Sequence, residues 1–131
     1  MKALAIDDDR EFLDLLGIYL KQIGYSTTAI YDAEGILTAI TDENYNLVLV
    51  DWMMPEVDGI TIIKAIRNRD RQTRHQTKVI MVTAIDNTMA KNYAKRSGAD
   101  AFLPKSRSKD SFKISLFETI RSVMEENKSA V

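Results

Sequence analysis

Five short apolar runs alternate with five stretches of helical periodicity along this chain, and that alternation leaves few folds open to it. The runs are Ala3–Ile6, Tyr25–Ile30, Leu47–Val50, Val79–Val82 and Ala101–Leu103, each of strand length. Most are apolar at nearly every position, as parallel strands covered on both faces must be. The second, "YSTTAI", is more polar and suits a sheet edge. In the intervening stretches Phe12, Leu16, Tyr19 and Ile23 repeat at helical spacing, with Gly24 as a stop. So do Ile36, Leu37 and Ile40; Ile60, Ile63 and Ile66; and Phe112, Leu116, Ile120 and Val123, while "DNTMAKNYAKRSG" supplies the fourth helix. Strand then helix, five times over, predicts an α/β fold: a parallel sheet with helices on both faces. Right-handed crossovers reduce the topologies to a three-layer, doubly wound, five-stranded sheet of order 2-1-3-4-5.

Composition limits the function. At 131 residues the chain suits one domain, expected to span 1–131 with its core in about 2–126. Its net charge of −1 gives no global field toward nucleic acid or an acidic membrane, so neither is expected as a partner. There is no cysteine, hence no disulfide framework or thiol chemistry. The N-terminus "MKALAIDDDR" meets acid after four apolar residues, too few for a signal peptide, and no run approaches the roughly 20 residues of a membrane span. A cytoplasmic location is expected.

In such sheets ligands bind beyond the carboxyl ends of the strands, where strand order reverses; here that is between the first and third strands. The first strand runs into Asp7, Asp8 and Asp9, and the third, in "NLVLVDWMMPEVDG", ends on Asp51. The fourth ends on Thr83-Ala84, and Lys105 lies just past the fifth. Taken singly, Asp51 is a turn or cap, Thr83 a strand threonine and Lys105 a solvated lysine. Asp9 reads as the cap of the first helix and Asp58-Gly59 as turn chemistry. The joint placement is what points to chemistry. Carboxylates this close raise each other's pKa unless a cation joins them. A hard divalent cation with oxygen ligands fits, and magnesium suits a site that keeps several waters. Lys105 and Thr83 are placed to bind a phosphoryl oxygen, and a carboxylate beside the metal can act as nucleophile toward phosphorus.

With these residues in place, the chain resembles the receiver domain of bacterial two-component response regulators. The motifs are the acidic pair after the first strand, "D-x-M-M-P-x-x-D-G" around Asp51, Thr83-Ala84, "GAD" before the fifth strand and the lysine after it. The resemblance implies a flavodoxin-like fold and a signalling domain rather than a turnover enzyme. It makes Asp51 the phosphoacceptor, charged by a sensor histidine kinase or phosphotransfer protein with Mg²⁺. It makes Asp8 a direct metal ligand with Asp51 and the Met53 backbone carbonyl, and Asp7 a ligand through water. Thr83 and Lys105 would bind phosphoryl oxygens, and Phe102 would hold the aromatic switch position. A homodimer or output contact would use the face of the fourth helix, fifth strand and fifth helix. Met53 and Ile85, two past the acceptor and two past the threonine, would border the path of water onto the phosphoryl group and tune its loss.

The chain departs from the family pattern where Ser106, not proline, follows Lys105. The family's cis peptide after the lysine would cost about 3 kcal/mol without proline, which puts the family's loop after the fifth strand, and any partner surface built on it, in doubt. Phe102 replaces the more familiar tyrosine and loses its hydroxyl. Two rivals are weaker. A haloacid-dehalogenase-like phosphatase would use the Asp7-x-Asp9 spacing, Thr83 and Lys105, but needs an acidic motif after the lysine; Asp110, Glu118, Glu125 and Glu126 read as helix-surface charges. A flavodoxin-like cofactor binder needs hydroxyls and amides after the first strand, where three aspartates would repel phosphate. The stretch "RNRDRQTRHQTK" reads as a solvated loop rather than a patch for an acidic partner, and His75 within it lies away from the acids.

Overall fold

The computed structural model describes residues 1–105 and 108–129, the side chains of 126–129 excepted. Five strands alternate with five helices: β1 Lys2–Ile6, α1 Arg10–Gln22, β2 Ser26–Ile30, α2 Ala33–Asp42, β3 Leu47–Val50, α3 Gly59–Thr73, β4 Lys78–Thr83, α4 Thr88–Ser97, β5 Ala101–Pro104 and α5 Lys109–Ser129. All pairings are parallel and the order is β2-β1-β3-β4-β5, as the alternation predicts. The polar β2 is indeed an edge strand.

Alternate strand residues face opposite layers. Ala3, Ala5, Leu47, Leu49, Ile80 and Val82 pack under α1 and α5 with Leu16, Leu20, Phe112 and Leu116. Leu4, Ile6, Val48, Val50, Val79 and Met81 pack under α2, α3 and α4 with Ile36, Ile40, Ile63 and Ala94. The helical periodicity located these faces with two exceptions. Leu37 is exposed, because Ile36 and Ile40 already meet the sheet four residues apart and Leu37 lies a further 100° round the helix. Ile23 is the exposed C-cap of α1; Leu13 and Leu20 fill the face instead. No helix among the described residues is long and apolar enough to cross a membrane.

The arginine-rich stretch is not a solvated loop. Helix α3 runs through most of it, and Arg67 is built into the amino-terminal side of the sheet. Its Nε and Nη2 donate to the Gly98 carbonyl at 2.9 and 2.7 Å, and Nη1 donates to the Thr77 carbonyl at 2.5 Å. The same guanidinium pairs with Asp70 at 3.1 Å and Asp100 at 2.8 Å. Those carboxylates in turn accept from the Thr77 and Val79 amides. One planar cation thus ties α3 to the start of β4 and to the turn between α4 and β5. His75 lies at this end too, its Nε2 2.7 Å from the Tyr45 carbonyl oxygen and away from the strand-end acids.

Removing Arg67 would leave two half-buried carboxylates without their cation. Arg67→Ala is therefore expected to lower the unfolding free energy by about 2–4 kcal/mol in urea titration, against less than about 0.5 kcal/mol for the exposed Arg71→Ala. Equal effects would show that the network carries no stability.

Candidate functional site

The site is built by one register. Ile6 of β1 lies opposite Val50 of β3, so the next residue of each strand is an aspartate at the carboxyl rim. The Asp51 amide donates to the Ile6 carbonyl at 2.9 Å, continuing the ladder one step and fixing the acid beside Asp7. Asp7, Asp8 and Asp51 offer oxygens that all lie within 4.8 Å of one another. Asp7 is 2% exposed and Asp51 7%, whereas Asp8 faces solvent. Asp9 stands apart: it is the N-cap of α1, accepting from the Phe12 amide at 3.1 Å. That engagement removes the second acid of an Asp-x-Asp phosphatase pair.

Lys105 follows β5 and its own amide donates to the Thr83 carbonyl at 2.7 Å. Its ammonium reaches back to Asp7 at 2.9 Å and stands 3.9 Å from Asp51. One cation facing three acids leaves the charge uncompensated. Burial, reinforced by the Asp7 charge, pushes the Asp51 carboxyl up to about 6, against the opposing pull of Lys105 and the Trp52 amide. Burial also raises Asp7, although the Asp9 amide and Lys105 resist. Two buried carboxyls whose pKa values are raised, beside an exposed third one, are suited to a hard divalent cation: the donor set is all oxygen, and one side is open to water.

Asp51 is held closely. Its Oδ1 accepts from the Trp52 amide at 2.9 Å, and the Gly59 amide donates to the Trp52 carbonyl at 2.8 Å. A Cβ on Gly59 would run into the Asp51 carbonyl oxygen and stand 2.8 Å from the Trp52 Cα, so only glycine fits at the start of α3. Asp58, read as turn chemistry, caps that helix by accepting from the Ile60 amide at 2.7 Å. Thr83 is buried at the end of β4, its Oγ1 3.3 Å from the Ile85 amide that donates to it. Met53, two residues past Asp51, is 68% exposed, and Ile85, two past Thr83, is half-buried. Phe102 is half-buried and meets Trp52 edge-on, centroids 6.5 Å apart. The peptide between Lys105 and Ser106, where the family pattern fails, lies outside the described residues.

Two participants were not singled out by sequence reasoning. Tyr93 of α4 stacks on Trp52, centroids 5.9 Å apart and planes 19° apart. Phe12 of α1 lies under the Lys105 ammonium, 4.4 Å from its ring centroid. Helical periodicity marks Phe12 as a core residue, and nothing in the local pattern marks Tyr93 as more than a surface aromatic.

The family model for the response regulator receiver domain matches residues 3–116. The transcriptional regulatory protein CpxR of Escherichia coli K12 is 40% identical over 104 residues, 79% of this chain and 42% of that protein. The regulatory protein VanR of Enterococcus faecium is 33% identical, over 79% of this chain and 43% of VanR. The chain therefore spans less than half the length of these curated relatives. Among solved structures, a CheY-like response regulator receiver domain protein from Methanospirillum hungatei superposes with a TM-score of 0.82 at 25% identity, covering 99% of this chain and 98% of that one. The response regulator TrrA of Thermotoga maritima, solved in complex with Mg(2+)-BeF, gives 0.72 at 25% identity over 90% and 97%. The chain belongs to the response regulator receiver domain family.

The raised Asp51 fixes a pH dependence. The folded chain keeps that proton up to about pH 6, whereas the unfolded chain releases it near 3.8, so the folded state binds more protons across this window. Stability without metal should therefore fall as pH rises from about 4 to above 6. Asp51→Asn should flatten part of the fall, Asp7 supplying the remainder, and should be the more stable protein at pH 7 by about 1–3 kcal/mol. Urea unfolding in EDTA across pH 4–7.5 checks both; an Asn variant no more stable than wild type at pH 7 contradicts the crowding.

Proposed function

We propose that Asp51 is the phosphoacceptor of this receiver domain and that the other strand-end residues serve its phosphorylation. The observation that carries this reading is the convergence of Asp7, Asp8 and Asp51 with the Lys105 ammonium at the reversal of strand order. Oδ2 of Asp51 faces Lys105, while Oδ1 is engaged by the Trp52 amide; the free oxygen is the nucleophile. It attacks phosphorus, the bond from phosphorus to the donor's nitrogen or oxygen breaks, and an aspartyl phosphate results. Lys105, moving about one contact distance from Asp7, binds a phosphoryl oxygen, and the Thr83 hydroxyl donates to another. The Asp8 and Asp51 carboxylates and the Met53 carbonyl would hold Mg²⁺ directly, with Asp7 acting through water. Bound there, the ion would neutralise charge on the acids and on the phosphoryl oxygens. The Thermotoga maritima relative solved with Mg(2+)-BeF supports this assignment by similarity.

The phosphodonor is a sensor histidine kinase or phosphotransfer protein, and the site acts in the cytoplasm. Output is a change in the face of α4, β5 and α5, either toward a second copy or toward an effector. Thr83 and Phe102 link the acceptor to that face, since Phe102 lies on β5 and touches Trp52, the neighbour of Asp51. As part of a longer transcriptional regulatory protein, as CpxR is named, the chain would signal to further sequence beyond its own length.

With acetyl phosphate and Mg²⁺ the protein should gain one phosphoryl mass through a bond labile to acid and base. Asp51→Asn should gain none, and a labile phosphoryl on that variant would contradict the assignment. Neither Met53 nor Ile85 can orient an attacking water, and both obstruct its approach, so the phosphorylated form should decay slowly. Met53→Asn and Ile85→Glu should each speed the decay by roughly tenfold or less, well inside the 10²–10⁴ typical of positioned acid–base groups. Unchanged decay in both would assign the two side chains to packing alone.

A further inference from the structure

We infer that Phe12 is a positioning residue for phosphoryl transfer, holding the Lys105 ammonium over the acids from α1 through the face of its ring. The inference rests on the role given to Lys105 above and goes beyond it in naming what aims that lysine. In the sequence Lys105 is followed by Ser106, not by a proline that would restrict the backbone after it. A flexible four-carbon side chain in that position needs an external support. Two are present. Asp7 takes the ammonium at 2.9 Å, and the Phe12 ring lies 4.4 Å beneath it.

The ring is itself fixed from both sides. The Phe12 amide donates to the Asp9 side chain at 3.1 Å, so the helix cap sets the backbone of α1 under the lysine. The Asp9 amide in turn donates to Asp7 Oδ1 at 2.9 Å, tying cap and acid together. On its far side Phe12 meets Phe112 of α5, centroids 5.5 Å apart and tilted by 59°. Phe112 is fully buried among Leu16 and Leu116, so the pair is anchored in the core. The negative face of an aromatic ring attracts an ammonium without accepting its protons in a hydrogen bond. The three donors of Lys105 therefore remain available to Asp7, to Asp51 and to an incoming phosphoryl oxygen. An acid under the lysine would compete with that oxygen; an aliphatic side chain would remove one of the ammonium's two supports and leave it to the Asp7 pair. A ring avoids both outcomes.

The deciding experiment is a double-mutant cycle on the full chain, reading the rate of phosphoryl acceptance from acetyl phosphate and, separately, Mg²⁺ affinity by Trp52 fluorescence. Phe12→Leu keeps an apolar side chain of similar bulk but no π face, and Phe12→Tyr keeps the face. Phe12→Leu should slow acceptance roughly fivefold, the rate equivalent of one partly exposed cation–π contact, and leave Mg²⁺ affinity within about twofold. Phe12→Tyr should stay near the wild-type rate. In a Lys105→Ala background, already slow, Phe12→Leu should have no further effect. A fivefold loss in both backgrounds, or a Phe12→Leu rate equal to wild type while Lys105→Ala is slow, overturns the positioning role and leaves the Lys105 assignment standing. A Lys105→Ala variant that accepts phosphoryl at the wild-type rate overturns both.

Discussion

The hydrogen bond from the Asp51 amide to the Ile6 carbonyl is the contact on which the rest of the site depends. It extends the β1–β3 ladder one residue past the strand and sets two aspartates side by side at the rim. Strand register has a period of two, so a slip of one residue would turn Asp51 to the opposite layer and bury its carboxyl in apolar packing. The register is held by the core itself: Leu47 and Leu49 face one helical layer and Val48 and Val50 the other, with no polar residue to tolerate a slip. The folding of the sheet and the assembly of the acids are thus one event. The cost of crowding charge at the rim is met by burial of those same strands, and a bound cation and phosphoryl group would relieve it.

A buried acid is useful for signalling only if its state reaches the surface. In the proposed switch Trp52 is the connection. Its amide donates to Asp51, its carbonyl accepts from Gly59 at the start of α3, and its indole lies between Tyr93 of α4 and Phe102 of β5. A shift in the loop after Asp51 would therefore move aromatic contacts to two elements of the proposed output face. Packed rings have few alternative arrangements, so a small displacement at Asp51 favours a discrete rearrangement over a graded one. The opposite end of the sheet is built to resist such movement: Arg67 fixes the carboxyl end of α4 through the Gly98 carbonyl, whereas Tyr93, in the middle of that helix, meets Trp52 by ring stacking.

Much of this was legible in the sequence because it is carried by local patterns. Apolar runs gave all five strands to within about a residue, and the order of elements gave the topology. Strand ends are fixed by where apolar runs stop, so the sequence alone sets Asp7, Asp51, Thr83 and Lys105 at the rim. Contacts set by three-dimensional approach were not legible. The periodicity of α1 marks Phe12 as core, but only the fold shows that it supports a lysine ninety-three residues on. Likewise the cluster "RNRDRQTR" looks solvated because five of its eight residues are charged, and nothing local says that Arg67 will be enclosed by Asp70, Asp100 and two carbonyls. Leu37 misled for the converse reason: an apolar residue beside two core positions need not share their face.

The central claim is that the β1–β3 register makes Asp51 the one acid at the rim able to accept a phosphoryl group. Borohydride reduces an aspartyl phosphate to homoserine and leaves free carboxylates unchanged, so the product records the acceptor within the unaltered protein. After phosphorylation with acetyl phosphate and Mg²⁺, reduction and peptide mass mapping, homoserine should be found at position 51 and not at 7, 8 or 9. Homoserine at any of those three positions, with aspartate intact at 51, would contradict the account.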